Sequence, residues 1–430
     1  MHEYLEALEF FTEHGYYHIE DSILGTLASF QIPNEKAHLP LAKLSGGEKR
    51  YVELARMMFS DADLYLVDEP TNHMDYIGKQ QFINWLLSQK KSVLVVTHDR
   101  DVLNQVNTIL ELKDKKMFVF TGNYNHYLAQ NASMATSSMK NYQDQLNQLK
   151  EAKKRVEWGL TMRAKSKEWK IRYDHWLRDY EKLKAAMEKP SLWIDQTSTD
   201  TLDRKELESY EKFKTKNITI GTGKEVQQRN ELLTVTRLSL GYTKPLFAEL
   251  SIVLANQQRL LVKGRNGAGK SSLVKTILAA HRNEKPPAKL YEGEVRLGNG
   301  VRIGEYEQEI HTRYLGMGLE DAIREAYQEA GTPIDEPTIK SLLAQYLFNP
   351  RLDAKQKIAN LSGGQKARFQ LIKMLANNPH LLILDEPTNH LDLPSIEELE
   401  NALRQFKGGV LYISHDTYFI EQMGGVVIEI

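Results

Sequence analysis

Residues 44–50, Leu-Ser-Gly-Gly-Glu-Lys-Arg, return at 361–367 as Leu-Ser-Gly-Gly-Gln-Lys-Ala, and the repetition keeps its register downstream. Asp-Glu-Pro-Thr-Asn-His at 68–73 returns at 385–390, and His98-Asp99 returns as His415-Asp416. The offsets 361 − 44, 385 − 68 and 415 − 98 all equal 317. Three polar motifs held in one register imply a duplicated domain rather than a coincidence of composition. One element occurs once: Gly264-Arg265-Asn266-Gly267-Ala268-Gly269-Lys270-Ser271 fits the phosphate-loop pattern G-x-x-x-x-G-K-[ST]. Its counterpart would fall at 270 − 317, about 47 residues before Met1, so the first half reads as lacking its front.

The apolar runs at 64–67, 93–96 and 381–384 each end at a polar motif and are separated by helix-length segments. Such runs suit buried parallel strands of an α/β sheet and are far too short to span a bilayer, for which roughly 18 residues are needed. Residues 233–240 and 260–263 are further strand candidates, the latter entering the phosphate loop, with a helix predicted over 271–278. Residues 1–43 read as helical, and 319–348, also helical, occupies the place that 5–30 holds in the first half. Residues 109–112 and 117–120 read as a closing hairpin, and 426–430 as a strand with neither turn nor partner after it. The absence of cysteine excludes disulfides and cysteine-based metal sites. No basic n-region opens the chain, and a cytoplasmic protein is expected.

Between these halves the chain changes character. From 133 to 190 it is polar and charged, with Tyr142, Leu146, Leu149, Ala152 or Lys153, Val156 and Leu160, then Tyr173, Trp176 or Leu177, Tyr180, Leu183 and Met187, at three- and four-residue spacing. That pattern predicts two helices along a seam, turning between 159 and 165 and ending at Pro190. The domains are therefore expected at 1–132, 133–217 (the linker) and 218–430. A net charge of −1 hides local excess: 150–189 carries thirteen Lys/Arg against seven Asp/Glu, so 13 − 7 gives +6. Arg163, Lys165, Lys167, Lys170 and Arg172 cluster at the proposed tip among Trp158, Trp169 and Tyr173, a combination suited to RNA backbone contact and base stacking. A merely solvated hairpin is the plainer alternative.

In the phosphate loop, Gly264, Gly267 and Gly269 free the backbone to aim N–H groups at phosphate oxygens, the helix that follows adds partial positive charge, and Asn266 is a further candidate for ATP binding. Lys270 would pair with the β- and γ-phosphates of ATP; Ser271 would ligate Mg²⁺, with Ser272 beside it. Asp385, after an apolar run, fits a metal-holding carboxylate, and Glu386 next to it fits the general base that polarises water. An acidic pair at a strand end could instead cap a helix. His415 could sense the γ-phosphate or serve a structural role.

Together these motifs resemble an ATP-binding cassette (ABC) ATPase, in which two cassettes close head to tail and each Leu-Ser-Gly-Gly signature caps the nucleotide on the other's phosphate loop. The doubled Asp-Glu-Pro-Thr-Asn-His and the charged helical linker, with Glu157-Trp158, Ala164-Lys165-Ser166-Lys167 and Tyr180-Glu181-Lys182-Leu183, resemble the ABC-F branch, tandem cassettes that act on ribosomes. Met74, where leucine is usual, departs from that pattern. The resemblance implies two P-loop NTPase domains, the first incomplete, joined by a helical hairpin. It further implies that Gln308 is the glutamine-loop residue near γ-phosphate and metal, that Tyr242 stacks on adenine, and that Ser45, Gly46, Gly47 and Glu48 cap the nucleotide on Lys270. A second site would hold Ser362, Gly363, Gly364, Asp68, Glu69 and His98 but no phosphate loop. The implied cofactors are ATP and Mg²⁺, and the implied partner is the ribosome, reached through rRNA and P-site tRNA, with no membrane and no DNA. Two rivals remain at this stage: a degenerate member that binds nucleotide without turnover, and the tandem ATPase of a transporter.

Overall fold

The computed structural model describes residues 2–430 except 14–15, 31, 45, 61, 73, 114, 191, 215–230 and 308. These fall into two compact units, Met1–Gln105 with Ile218–Ile430, and Val106–Asn217. In the first repeat, helices Ile19–Ser29 and Gly46–Met58 precede strand β1 (Leu64–Asp68), helix Tyr76–Ser88 and strand β2 (Ser92–Val96). β1 and β2 pair in parallel, as the two apolar runs predict.

The Val106–Asn217 unit opens with the antiparallel hairpin β3 (Thr108–Lys113) and β4 (Lys116–Thr121). Helix Tyr124–Met162 then runs unbroken across 132/133, turns at 163–166 and returns as helix Lys167–Ala186. Ser166 caps the second helix by accepting from the Trp169 N–H at 3.3 Å. Gly159 lies under the returning helix, where a Cβ would approach the Trp176 ring to 3.0 Å. At the other end, Ala135 and Met139 pack with Leu192, Ile194, Tyr210 and Phe213, and the Tyr210 hydroxyl is hydrogen-bonded to both backbone groups of Ile194.

The second repeat is fuller. Strands β5 (Leu233–Gly241), β6 (Pro245–Leu254) and β8 (Lys289–Leu297) form an antiparallel sheet in the order β6-β5-β8. Strands β7 (Arg259–Lys263), β9 (Ile303–Tyr306), β10 (Leu381–Asp385), β11 (Gly409–Ile413) and β12 (Val426–Glu429) form a parallel sheet in the order β12-β7-β11-β10-β9. The 426–430 strand thus has a partner, β7, because parallel pairing needs no adjacent turn. The helical stretch expected over 319–348 is broken into Leu319–Glu329 and Glu336–Gln345 around Gly331, whose φ is +71°. One face of the parallel sheet is sealed by the antiparallel sheet and helix Lys270–Arg282, which bury Leu381, Ile383, Leu411 and Ile413. The residues 317 positions earlier, Leu64, Leu66, Leu94 and Val96, are 53%, 70%, 46% and 56% exposed.

Candidate functional site

The β7 strand delivers the chain into the phosphate loop, and Gly267 (φ +84°) and Gly269 (φ +110°) take backbone conformations that L side chains rarely adopt. Gly269 is also the N-cap of helix Lys270–Arg282, so that helix terminus points into the loop. Lys270 is buried; its ammonium donates to the carbonyls of Gly264 (2.7 Å) and Arg265 (3.1 Å) and to the Nε2 of His415 (3.3 Å). Burial pulls its pKa down against the neighbouring carboxylates Glu386, Asp75 and Asp385. Burial and the Lys270 charge drive the His415 imidazole down to about 3, so it stays neutral and accepts a hydrogen bond from the ammonium.

Ser271 Oγ donates to Asp385 Oδ2 at 3.1 Å. A hydroxyl and a carboxylate brought together at a phosphate-binding loop match the donors a hard divalent cation takes alongside phosphate oxygens and water. Ser271 and Asp385 would hold Mg²⁺ here, and the ion would neutralise phosphate charge. Tyr242 is exposed above this helix, its hydroxyl 3.2 Å from Ser272 Oγ, and Tyr291 donates to its carbonyl at 3.1 Å. Tyr291 was not foreseen, since an isolated tyrosine in a charged strand carries no signal.

Glu386 sits in the left-handed region at φ +49°, its N–H held by the Ile413 carbonyl at 3.0 Å. Glu69 repeats this, with φ +43° and a bond to the Val96 carbonyl at 2.8 Å. Each glutamate faces the histidine of its own repeat: Glu386–His415 at 3.6 Å and Glu69–His98 at 3.8 Å. Glu386 Oε2 accepts the His415 N–H at 3.3 Å, whereas Oε1 is buried without a hydrogen-bond partner among the described residues. Burial, with Asp385 adjoining, raises the Glu386 carboxyl to about 7; burial raises Glu69 to about 7 as well. A cavity of about 50 Å³ lies between Glu69 and His98 of one repeat and Glu386 and His415 of the other.

The raised carboxyl sets a sign for pH dependence. A general base works as the carboxylate, so ATP turnover at saturating ATP should climb as pH rises through about 7 and level off above it. Folding responds oppositely: this raised pKa stabilises the fold at low pH, and the contribution is lost as pH rises through about 7. A pH–rate profile flat from 6 to 8 would exclude Glu386 as the base.

Of the signature residues, Ser45 lies outside the described residues, as does Gln308. Gly46 and Gly47 open helix Gly46–Met58, and the Glu48 carboxylate is engaged by Lys36 at 2.6 Å. Asp75 of the first repeat touches the phosphate loop, its Oδ2 accepting the Asn266 N–H at 3.1 Å. Asp75 was missed because an aspartate ahead of a helix reads as a cap, which it also is: Oδ1 accepts from Gly78 N–H at 3.1 Å. In the second signature, Ser362 caps helix Gly363–Met374 in a capping box with Gln365, and Gly363 passes close to His390.

At the hairpin turn, Arg163, Lys165, Lys167, Lys170 and Arg172 are exposed. The aromatic residues among them pack on one another and on the arginines: Trp158 edge-on to Trp169 (5.1 Å), Arg163 over Tyr173 (5.4 Å) and Arg172 over Trp169 (5.2 Å). Trp158 is exposed alongside the basic side chains, while Trp169 and Tyr173 are half-buried.

Two repeats built on the parallel sheet, signature helices and glutamate–histidine pairs, with a phosphate loop in the second, define a tandem ATP-binding cassette protein. The ABC transporter family profile (ABC_tran) matches residues 9–72 and 247–389. The chain's relatives include members of the ABC-F family. The chain is 30% identical to ABC transporter F family member 2 of Arabidopsis thaliana over 92% of its own length and 54% of that protein's. It is 28% identical to the ribosome protection protein VmlR of Bacillus subtilis, over 90% of this chain and 69% of that one. The chain thus spans about half the length of the plant relative. The solved complex of archaeal ribosomal stalk protein aP1 with archaeal ribosome recycling factor aABCE1 matches with a TM-score of 0.55 at 16% identity, over 95% of this chain and 65% of that one, a likeness of fold. Among the described residues no helix is long and apolar enough to cross a membrane.

Proposed function

We propose that this protein is an ATP-hydrolysing ABC-F factor that acts on the ribosome, with ATP closing the two cassettes and hydrolysis reopening them. The observation that carries the ATPase reading is the assembly of Lys270, the Ser271–Asp385 pair and the Glu386–His415 pair around one phosphate loop, faced by Asp75 of the other repeat. In this reading Lys270 binds phosphate and Glu386 polarises water through its Oε1. Neutral His415 places Lys270 and holds the glutamate through its backbone N–H. The γ-phosphate acts as the latch between closed and open forms.

Action on the ribosome is supported by the relationship to VmlR, whose name states ribosome protection, and by the exposed basic turn at 163–172. That turn would meet rRNA and P-site tRNA in the cytoplasm, its lysines and arginines pairing with phosphates. The test is cosedimentation of the chain with ribosomes in the presence of a non-hydrolysable ATP analogue. Binding should be strong with the analogue, weak without it and lost in Lys270→Ala. Equal sedimentation of the parent and Lys270→Ala in both conditions would refute nucleotide-gated ribosome binding.

A further inference from the structure

The Asp75–Asn266 contact is backed by a residue that no motif contains. Tyr51, on the helix that follows the first signature, is buried and donates its hydroxyl to Asp75 Oδ1 at 2.7 Å. The same carboxylate uses Oδ2 to accept the phosphate-loop N–H of Asn266 at 3.1 Å. On its other side the Tyr51 ring stacks on Phe30, with centroids 5.1 Å apart and planes at 11°. A hydrogen-bonded and stacked path therefore runs from the helical part of the first repeat, through Tyr51 and Asp75, to the backbone of the phosphate loop in the second.

The path is built in. Gly78 passes so close to Tyr51 that a Cβ there would lie 2.2 Å from the ring, so the glycine makes the room in which the tyrosine reaches Asp75. Against the raising effect of burial, hydrogen bonds from Tyr51, Gly78 and Asn266 hold the Asp75 carboxyl below its usual range. The second repeat lacks this pair. Its equivalents, at 51 + 317 and 78 + 317, are Arg368 and Ser395, and Arg368 donates to the carbonyls of Gly364, Tyr346 and Leu347. The tyrosine–glycine pair is found in the repeat whose Asp75 accepts from the phosphate loop.

We propose that Tyr51 is a positioning residue of the ATP site: by fixing Asp75 it sets the geometry of the Asn266 segment and so tunes ATP affinity from the first cassette. This rests on the ATPase reading above. A carboxylate with a fixed orientation holds the loop in its binding form; one free to rotate lets it relax. Tyr51 touches neither nucleotide nor reacting atoms, so its effect should appear in affinity rather than in chemistry.

The experiment uses the full chain with Tyr51→Phe, which keeps the ring on Phe30 and removes only the hydroxyl, and Asp75→Asn, which retains a helix-capping side chain. Without nucleotide, hydrogen exchange at the Asn266 amide should quicken by about tenfold or more in both variants, the scale of losing a hydrogen bond to a charged group. The KM for ATP should rise by about tenfold in Tyr51→Phe with kcat changed less than about twofold. Unchanged exchange at Asn266, or faster exchange beside an unchanged KM, would overturn the assignment. If the parent neither binds nor hydrolyses ATP, the ATPase reading fails and the tuning of affinity falls with it. The nucleotide-free exchange then still decides whether Tyr51 holds the loop.

Discussion

Glu386→Gln is expected to lower ATP turnover by about 10²–10⁴-fold while leaving ATP binding intact, the range usual for removing a general base. The substitution keeps the size of the side chain and its backbone-held position, with φ +49° and the N–H on the Ile413 carbonyl unchanged. What it removes is the proton-accepting capacity of a buried oxygen that has no hydrogen-bond partner among the described residues. Glutamine also brings an NH₂ toward His415, whose neutral Nε2 already accepts from Lys270. ATP affinity should hold or tighten, because a neutral side chain replaces an anion near the phosphates. Single-turnover hydrolysis and equilibrium binding of a fluorescent ATP analogue separate the two effects. A loss of less than tenfold in turnover would move the base elsewhere, and weakened binding with normal turnover would make Glu386 a structural residue.

The parts of this site that were legible in the sequence are those whose chemistry dictates residue type at fixed spacing. A loop that wraps phosphate needs Gly267 and Gly269 at positive φ, and the pattern at 264–271 announces them. The constant offset of 317 carried the glutamate–histidine pairs, because duplicated strands end in duplicated geometry: the N–H groups of Glu69 and Glu386 bond carbonyls at equivalent positions, Val96 and Ile413. Parallel strands such as β7 and β10 read clearly because burial on both faces makes them continuously apolar. β6 and β8 did not, since a sheet with one exposed face mixes Lys, Glu and Tyr into its strands. Contacts such as Tyr51–Asp75 and Asp75–Asn266 were illegible for a different reason. A tyrosine on an apolar helix face reads as core, and the partner of Asp75 lies in the other repeat.

The second large effect concerns how the repeats are joined. Arg100 follows the His98-Asp99 motif and donates to Glu400 of the other repeat at 2.9 Å, with both side chains 5% exposed. Beside it, Lys79 bridges Asp99 (3.0 Å) and Asp101 (2.8 Å), and Asp101 accepts from the Thr417 hydroxyl at 2.8 Å. Burial pushes the Glu400 carboxyl upward and the Arg100 charge pulls it back. Breaking such a pair leaves one buried charge without its counterion, so Arg100→Met or Glu400→Leu alone should cost about 3–5 kcal/mol of stability in urea unfolding. Replacing both removes the stranded charge together with the attraction, so the double variant should lose less than either single one. The positions related by 317 residues are Thr417 and Ile83, so the ion pair exists on one side of the repeat and has no twin to share the load. Costs below about 1 kcal/mol for both single variants, the scale of an exposed pair, would show that water reaches Arg100 and that the repeats are held elsewhere.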